Sequence, residues 1–283
     1  MVEGDARVIT MQEIDWEKIW AERHEEREQL QQKDHGVSDW DLAAEDFSIT
    51  HRTNNYEYGR QVRDALGEVL NSDSEILEIG SGPGTFVIPF ASEVGRVTAV
   101  EPSKGMVSEL TKNAEEAGIA NYEVMNKIWE DIDESGIAGR YDLVISSFVL
   151  WMFKDVWQQL RRMEQASKGY CCVVEGTGTG DYMDLWRKVM GENWPKFTDY
   201  SLVYNILYNR GRFANVAMIT HTSQIPVDRW IKNRERALSK YVEVTPDVRR
   251  TIREHVSERS DGGDYRTEGQ AAVIWWRAEG ESL

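Results

Sequence analysis

The strongest chemical signal in this 283-residue chain is the run Leu77-Glu78-Ile79-Gly80-Ser81-Gly82-Pro83-Gly84, where an apolar stretch leads into glycines and then into a helical pattern. Glycine lets the backbone turn tightly and lets a ligand lie against it. The amides of such a loop, and the N-terminus of the helix after it, offer hydrogen-bond donors. Twenty-one positions beyond Gly80, after a second apolar stretch, stands Glu101. A carboxylate there can accept from both hydroxyls of a ribose. Together these features ask for an adenosine-type ligand. A dinucleotide fingerprint wants Gly-x-Gly-x-x-Gly or Ala, but Thr85 holds that third position and the third glycine is Gly84. Glu78, two residues before the first glycine, would also repel a pyrophosphate. It suits a ligand that carries an ammonium and a sulfonium.

The elements that position this loop follow from hydrophobic patterning. Short apolar runs at Glu75–Ile79, Arg96–Val100, Tyr122–Met125, Tyr141–Ser146 and Tyr170–Val174 read as strands. Helical periods at Phe86–Val94, Ser103–Ala117 and Val156–Ser167 lie between them. Strands alternating with helices at this spacing predict an α/β, doubly wound, mostly parallel sheet with both faces covered. Further strands are expected at Val216–Thr220 and Ala271–Trp276, and helices at Asp228–Tyr241 and Thr245–Ser257, with a turn at Gly262-Gly263. Upstream, residues 1–35 read as a polar, acidic helix docking through Trp16, Ile19 and Trp20, with Ala21–Lys33 a solvated face. Trp40–Phe47 reads as a short amphipathic piece, His51–Asn55 as a polar segment, and Tyr58–Leu70 as a helix. The predicted organisation is an N-terminal helical cap or lid over 1–57 and a catalytic-type domain over 58–283. An aromatic-rich helical insertion occupies 177–214, after strand five.

Glu78-Ile-Gly-Ser-Gly-Pro-Gly84, then Val100-Glu-Pro-Ser-Lys-Gly-Met106 and Tyr141-Asp-Leu-Val-Ile-Ser146, resemble the class I S-adenosylmethionine-dependent methyltransferases. The likeness runs from about Tyr58 to Val174 and identifies the superfamily, not a subfamily. It implies a Rossmann-like, seven-stranded sheet, parallel except for an antiparallel last strand. It also implies S-adenosylmethionine as cofactor and S-adenosylhomocysteine as product. By position, Glu78, Gly80, Ser81, Gly82 and Gly84 would hold the methionine portion. Glu101 would hold the ribose, with Ser103 and Met106 lining the adenosine. Ile128, Trp129 and Glu130 would meet the adenine, although the family's usual acid-small pair is here Ile128-Trp129. Ser146 would lie beside the departing methyl.

An O- or N-acceptor would need a base, for which His51, His221, Glu175 and Tyr204 are candidates, with nothing in the sequence to select one. Many relatives fold a segment like Thr50–Tyr58 over the cofactor. The aromatics of 182–208 read either as the core of an added helical layer or as the wall of a pocket for an apolar or planar acceptor. Cys171 and Cys172 are adjacent on a strand and point to opposite faces, so they read as core, neither a disulfide nor a metal site. The five histidines show no ligand spacing.

Composition sets the remaining bounds. Hydrophobic residues make up 41% and charged residues 29%, enough for a full core, and 11 Trp and 11 Tyr argue against a disordered chain. No apolar run is long enough to span a bilayer. The absence of a signal pattern at the first residues, with only two cysteines, points to a reducing, cytoplasmic compartment. A net charge of −16 disfavours nucleic acid, whose phosphates seek a basic surface, and moves the expectation to a small-molecule substrate. The expected function is methyl transfer to a small molecule. The alternatives are a protein or tRNA methyltransferase, a non-catalytic binder of S-adenosylmethionine or S-adenosylhomocysteine and, as an outsider, a dehydrogenase. The oligomeric state is open.

Overall fold

The computed structural model describes residues 10–32, 36–261 and 263–279. Residues 1–9 and 33–35 of the expected N-terminal helix, and Gly262 of the expected turn, lie outside them. The chain begins with α1 (Trp16–Leu30), α2 (Val37–Thr53) and α3 (Glu57–Ala65). The alternating core follows: β1 (Glu75–Ile79), α4 (Val87–Ala91), β2 (Arg96–Val100), α5 (Lys104–Ala117), β3 (Tyr122–Met125), β4 (Tyr141–Ser147), α6 (Val156–Ala166) and β5 (Ser167–Gly176). Then come α7 (Asp181–Met190), α8 (Tyr200–Asn209), β6 (Asn215–Pro226), α9 (Val227–Leu238), α10 (Pro246–Ser257), the two-residue β7 (Ser260–Asp261) and β8 (Asp264–Arg277).

The main sheet has the order β3-β2-β1-β4-β5-β8-β6, with β7 folded onto β8 alone. β1 to β5 pair in parallel, and β8 runs antiparallel between β5 and β6. Seven strands of mostly parallel sheet with an antiparallel last strand are what the family resemblance implies, and β7 is a small addition. Alternate residues serve two cores. Leu77, Val144, Cys171, Val173 and Ile274 face Trp20 of α1, Leu160 of α6 and Ile206 of α8. Ile76, Ala99, Ile145, Cys172 and Val273 face Tyr58 and Val62 of α3, Phe90 of α4 and Leu110 of α5. The two thiols therefore lie on opposite faces, both buried.

Three upstream and inserted segments differ from expectation. First, α2 is one 17-residue helix, so His51–Thr53 form its last turn and are not a polar connector. Asn55 and Tyr56 then turn the chain through two left-handed residues into α3. Second, α1 is solvated beyond Trp20 on one side only, at Glu22, Glu26, Glu28 and Gln29. His24 and Arg27 continue its buried stripe at helical spacing, which no apolar count detects because both residues are polar. Third, the 177–214 insertion divides between two cores. Leu202, Val203, Ile206 and Leu207 of α8 return to the main core. Leu185 and Trp186 of α7 join Trp230, Tyr241, Ile252 and Tyr265 in a satellite core. That core forms because β6 and β8 stay paired as far as Pro226↔Asp264, beyond the main sheet, and carry α9 and α10 with them.

The helix α3 docks so closely on the loop after β1 that a Cβ at Gly59 would stand 2.1 Å from the Thr85 carbonyl oxygen. That atom is backbone and cannot yield. Gly59→Ala is therefore expected to destabilise the fold by about 2–3 kcal/mol, the upper range for overpacking, read as a lower urea midpoint with an unchanged denaturant slope.

Candidate active site

In a doubly wound sheet, ligands bind beyond the carboxyl ends of the strands where the strand order reverses. Here that point lies between β1 and β4, since the chain leaves β1 towards β2 on one side and later returns to β4 on the other. The glycine loop sits there with φ of +71° at Gly80, +53° at Gly82 and +94° at Gly84, conformations that carry little penalty only for glycine. Two of these glycines are also sterically required. A Cβ on Gly80 would stand 2.5 Å from Val149 Cγ2, and one on Gly84 would stand 2.6 Å from Leu110 Cδ1. A Cβ on Gly82 would meet nothing within 4 Å, so this residue faces open space.

Glu101, at the end of β2, ties the loop to the neighbouring strand. One carboxylate oxygen accepts from the Gly82 amide at 2.8 Å and the other from the Ser103 amide at 2.8 Å. Each oxygen keeps a further lone pair. Ser103 caps α5 by accepting from the Met106 amide and donates its own hydroxyl to Asp41 of α2 at 2.6 Å. Asp41 also accepts from the Gly105 amide at 2.8 Å. Met106 packs beside Ala43 and Ala44 of α2. Thus α2 lies over the Glu101 end of the site, and Asp41 is a residue that motif reading missed. Only its distance from the glycine loop in sequence conceals it.

Three buried polar atoms around the loop have no hydrogen-bond partner among the described residues: Glu78 Oε2, Ser81 Oγ and Ser146 Oγ. A fourth, Glu175 Oε1, lies at the end of β5. A buried polar group without a partner is costly, so four at the carboxyl end of one sheet point to a ligand. Burial, and then the nearby Glu101 charge, push the Glu78 carboxyl well above the ordinary range. Burial also raises Glu101. Carboxylates held this way favour a cation placed among them.

The remaining expected residues separate. Ile128 is 45% exposed and Glu130 is exposed, whereas Trp129 is 4% exposed. Trp129 gives its indole N–H to Gln159 of α6 at 3.0 Å, and the Arg162 guanidinium covers its ring. The Thr50–Tyr58 segment is a braced corner. Arg52 pairs with Glu116 of α5 at 2.9 Å, and the Asn54 amide donates to the Thr222 carbonyl at 2.6 Å. Of the four candidate bases, Tyr204 packs against the main core. His51 is held neutral, its pKa pulled to about 4 by burial and by the neighbouring His221. His221 packs tilted against the Tyr58 ring, with centroids 4.8 Å apart and the planes at 54°. Tyr58 in turn shares a 2.7 Å hydrogen bond with Ser147. Glu175 has its pKa pushed up to about 8, chiefly by burial and then by the Asp199 charge. Between these groups, Phe148 holds the left-handed conformation at φ +52°, a strain typical of functional sites in a bulky residue.

Residues 76–168, about a third of the chain, match the family model described as a methyltransferase domain. A tRNA/tmRNA (uracil-C(5))-methyltransferase of Stutzerimonas stutzeri is 36% identical over 72 residues, which are 25% of this chain and 19% of that protein. A ubiquinone biosynthesis O-methyltransferase of Rickettsia canadensis is 26% identical over 152 residues, which are 50% of this chain and 63% of that protein. The chain thus spans less than two thirds of the length of these curated relatives. The YcgJ protein of Bacillus subtilis shares the fold at a TM-score of 0.54 and 16% identity, covering 77% of this chain and 98% of that one.

Because folding raises the Glu175 pKa from 4.5 to about 8, the native state holds a proton there that the unfolded chain releases. This contribution to stability is complete below pH 4.5 and is lost as pH rises through about 8. Glu175→Gln removes the titration. Urea unfolding at pH 5 and pH 8.5 is expected to show the variant gaining at least about 1 kcal/mol on the wild type at the higher pH. A difference independent of pH would contradict the assignment.

Proposed function

We propose that this chain, whose core is a class I S-adenosylmethionine-dependent methyltransferase domain, transfers a methyl group from S-adenosylmethionine to a small-molecule acceptor and leaves S-adenosylhomocysteine. The observation that carries this reading is the set of unpartnered buried atoms on Glu78, Ser81 and Ser146 around an open Gly82. A ligand with hydroxyls and an ammonium answers these needs, and a pyrophosphate beside Glu78 does not. When bound, the cofactor supplies an electrophilic methyl, whose bonding electrons return to sulfur as the acceptor's lone pair attacks.

The chain's own residues then bind and orient. Glu78 receives the ammonium end through its free Oε2, and the backbone of Gly80, Ser81, Gly82 and Gly84 cradles that portion. Glu101 uses its remaining lone pairs for the ribose hydroxyls. Ser103 and Met106 close the adenosine side with Ile128 and Glu130, while Trp129 backs the adenine turn from the α6 side. Ser146 faces the methyl end. Much of the rate comes from alignment and from keeping water out. Glu175 is the best placed of the four candidate bases to take the acceptor's proton, because a pKa near 8 suits proton transfer around neutrality. The net charge of −16 favours a small acceptor over nucleic acid.

Calorimetric titration tests the reading. S-adenosylhomocysteine is expected to bind at micromolar affinity, with NAD showing no heat. Glu101→Ala is expected to weaken binding at least about tenfold, the loss that follows removal of charge-assisted hydrogen bonds. Binding of NAD alone would overturn the cofactor assignment. Binding of S-adenosylhomocysteine without turnover on any acceptor would favour a non-catalytic sensor.

A further inference from the structure

Large apolar side chains gather in the open at the β6 edge of the sheet. Phe213 is 79% and Met218 52% exposed, and Val216 and Tyr208 are exposed as well. The rings of Tyr208 and Phe213 meet edge to face, with centroids 6.0 Å apart. Val216 and Met218 stand opposite Ile274 and Ala272 of β8, both of which belong to the main core with Ile206 and Leu207 of α8. Val216 and Met218 therefore lie on the α8 face of the sheet, with Tyr208 at the end of α8 and Phe213 in the connection to β6.

β6 is the outermost strand on this side and pairs with β8 in unbroken register over its 12 residues. In an antiparallel ladder, the residues of an edge strand alternately bond the neighbour and point their N–H and C=O outwards. The Thr222 carbonyl accepts from Asn54 at 2.6 Å, so the outward set is Val216, Met218, Thr220 and Thr222. The corner between α2 and α3 closes the edge at Thr222, whose hydroxyl also donates to Glu57 at 2.6 Å. Among the described residues, no strand, loop or side chain bonds the outward backbone of Val216, Met218 or Thr220. An open edge is a template for a further strand, and soluble proteins guard it with charges, prolines or bulges. From Asn215 to Thr220 this edge has none of these. Phe213 to Val227 includes no Asp, Glu, Lys or Arg, although those residues make up 29% of the chain. Burial lowers the His221 pKa, so that side chain is uncharged near neutrality too. The nearest upstream bases, Arg210 and Arg212, are paired with Glu17 and Glu164.

The missing charge selects the partner. A body with a net charge of −16 repels its own copy, and a twofold axis sets each residue beside it against itself. A contact between copies therefore tolerates charge least at the axis. A basic partner, by contrast, would find no carboxylate on this strand. We propose that two copies of this chain pair their β6 strands antiparallel about a twofold axis at Met218. Met218 then exchanges both backbone hydrogen bonds with Met218 of the partner subunit, and Val216 stands opposite Thr220 of the partner subunit. The two sheets join into one, and Tyr208, Phe213, Val216 and Met218 of both copies pack on the shared α8 face. The inference stands on the strand alone and is independent of the methyltransferase reading.

Sedimentation equilibrium of the full chain tests this. Wild type at about 10 μM is expected to show a species of twice the chain's 32.6 kDa. Salt screens the repulsion between like bodies, so the dimer is expected to tighten from about 0.05 to about 0.5 M ionic strength. Met218→Lys sets two like charges opposite each other and is expected to weaken the dimer at least about tenfold. Leu42→Lys, the same kind of change at an exposed site on α2, is expected to alter it less than about twofold. Met218→Cys reads the register. Cys171 and Cys172 are buried and do not compete. The Cα separation of such a pair, about 5.5 Å, lies within disulfide range, so mild oxidation is expected to give a covalent dimer. If Met218→Lys does not fold, the cysteine variant decides, and a failure to cross-link would overturn the proposal. So would a monomeric wild type, which would leave the edge to a strand of another protein. A dimer that survives Met218→Lys, one weakened equally by Leu42→Lys, or one that salt dissociates would also overturn it.

Discussion

The contact between Gly80 and Val149 holds the carboxyl edge of the sheet together. The two segments approach so closely that a single methyl group on Gly80 would stand 2.5 Å from the valine side chain. The loop after β1 is therefore fixed against the turn after β4. Packed interiors respond to such contacts as discrete arrangements rather than by gradual deformation. Glu101 extends the constraint sideways, because it bonds the Gly82 amide on one side and the Ser103 amide on the other. Three strand ends thus become one rigid rim, and the unpartnered atoms of Glu78, Ser81 and Ser146 are held at set positions on it.

Polar residues enclose this rim. Asp41 brings α2 onto the start of α5 through Ser103 and Gly105, and α1 lies along the turn after β4 through Trp20, His24 and Arg27. At these points each helix adds polar contacts to the apolar burial of Trp20 in α1 and of Ala43 and Ala44 in α2. A polar contact specifies one alignment because its donors and acceptors must all be matched, whereas an apolar face tolerates sliding. The N-terminal helices therefore define the shape of the site as well as covering it.

What the sequence makes legible follows the range of the interactions. β1, β2 and β3 have the boundaries expected from their apolar runs, because four of five positions in β1 and in β2 are buried between covered faces, and the edge strand β3 keeps the half-buried Tyr122, Val124 and Met125. In β6 and β8 only the apolar centres are evident. Their extensions, such as His221–Gln224 and Arg266–Gln270, alternate with solvent and resemble loops until the satellite helices are placed on them. The glycines and Glu101 are legible because backbone conformation and ligand chemistry restrict residue type locally. Asp41, Tyr58, Phe148 and Arg27 are not, since each gains its role from a partner far along the chain. Of the 182–208 aromatics, open to two readings in the sequence, Tyr182, Trp186, Trp194 and Phe197 pack in the satellite core and Tyr200 and Tyr204 on the main core, while Tyr208 is exposed.

The position of β8 has a consequence for biosynthesis. The last strand lies between β5 and β6, so β6 has no neighbour in the sheet until residues 264–277 have left the ribosome. Until then β5 presents an unpaired edge, and both cores lack one wall, since Ile274 and Val273 face opposite sides. Such an edge is a template for pairing with other chains. The nascent chain therefore passes through a stage in which the glycine loop is complete but the sheet is open, and its closure waits on β8, whose partners in β5, such as Tyr170 for Arg277, lie far upstream.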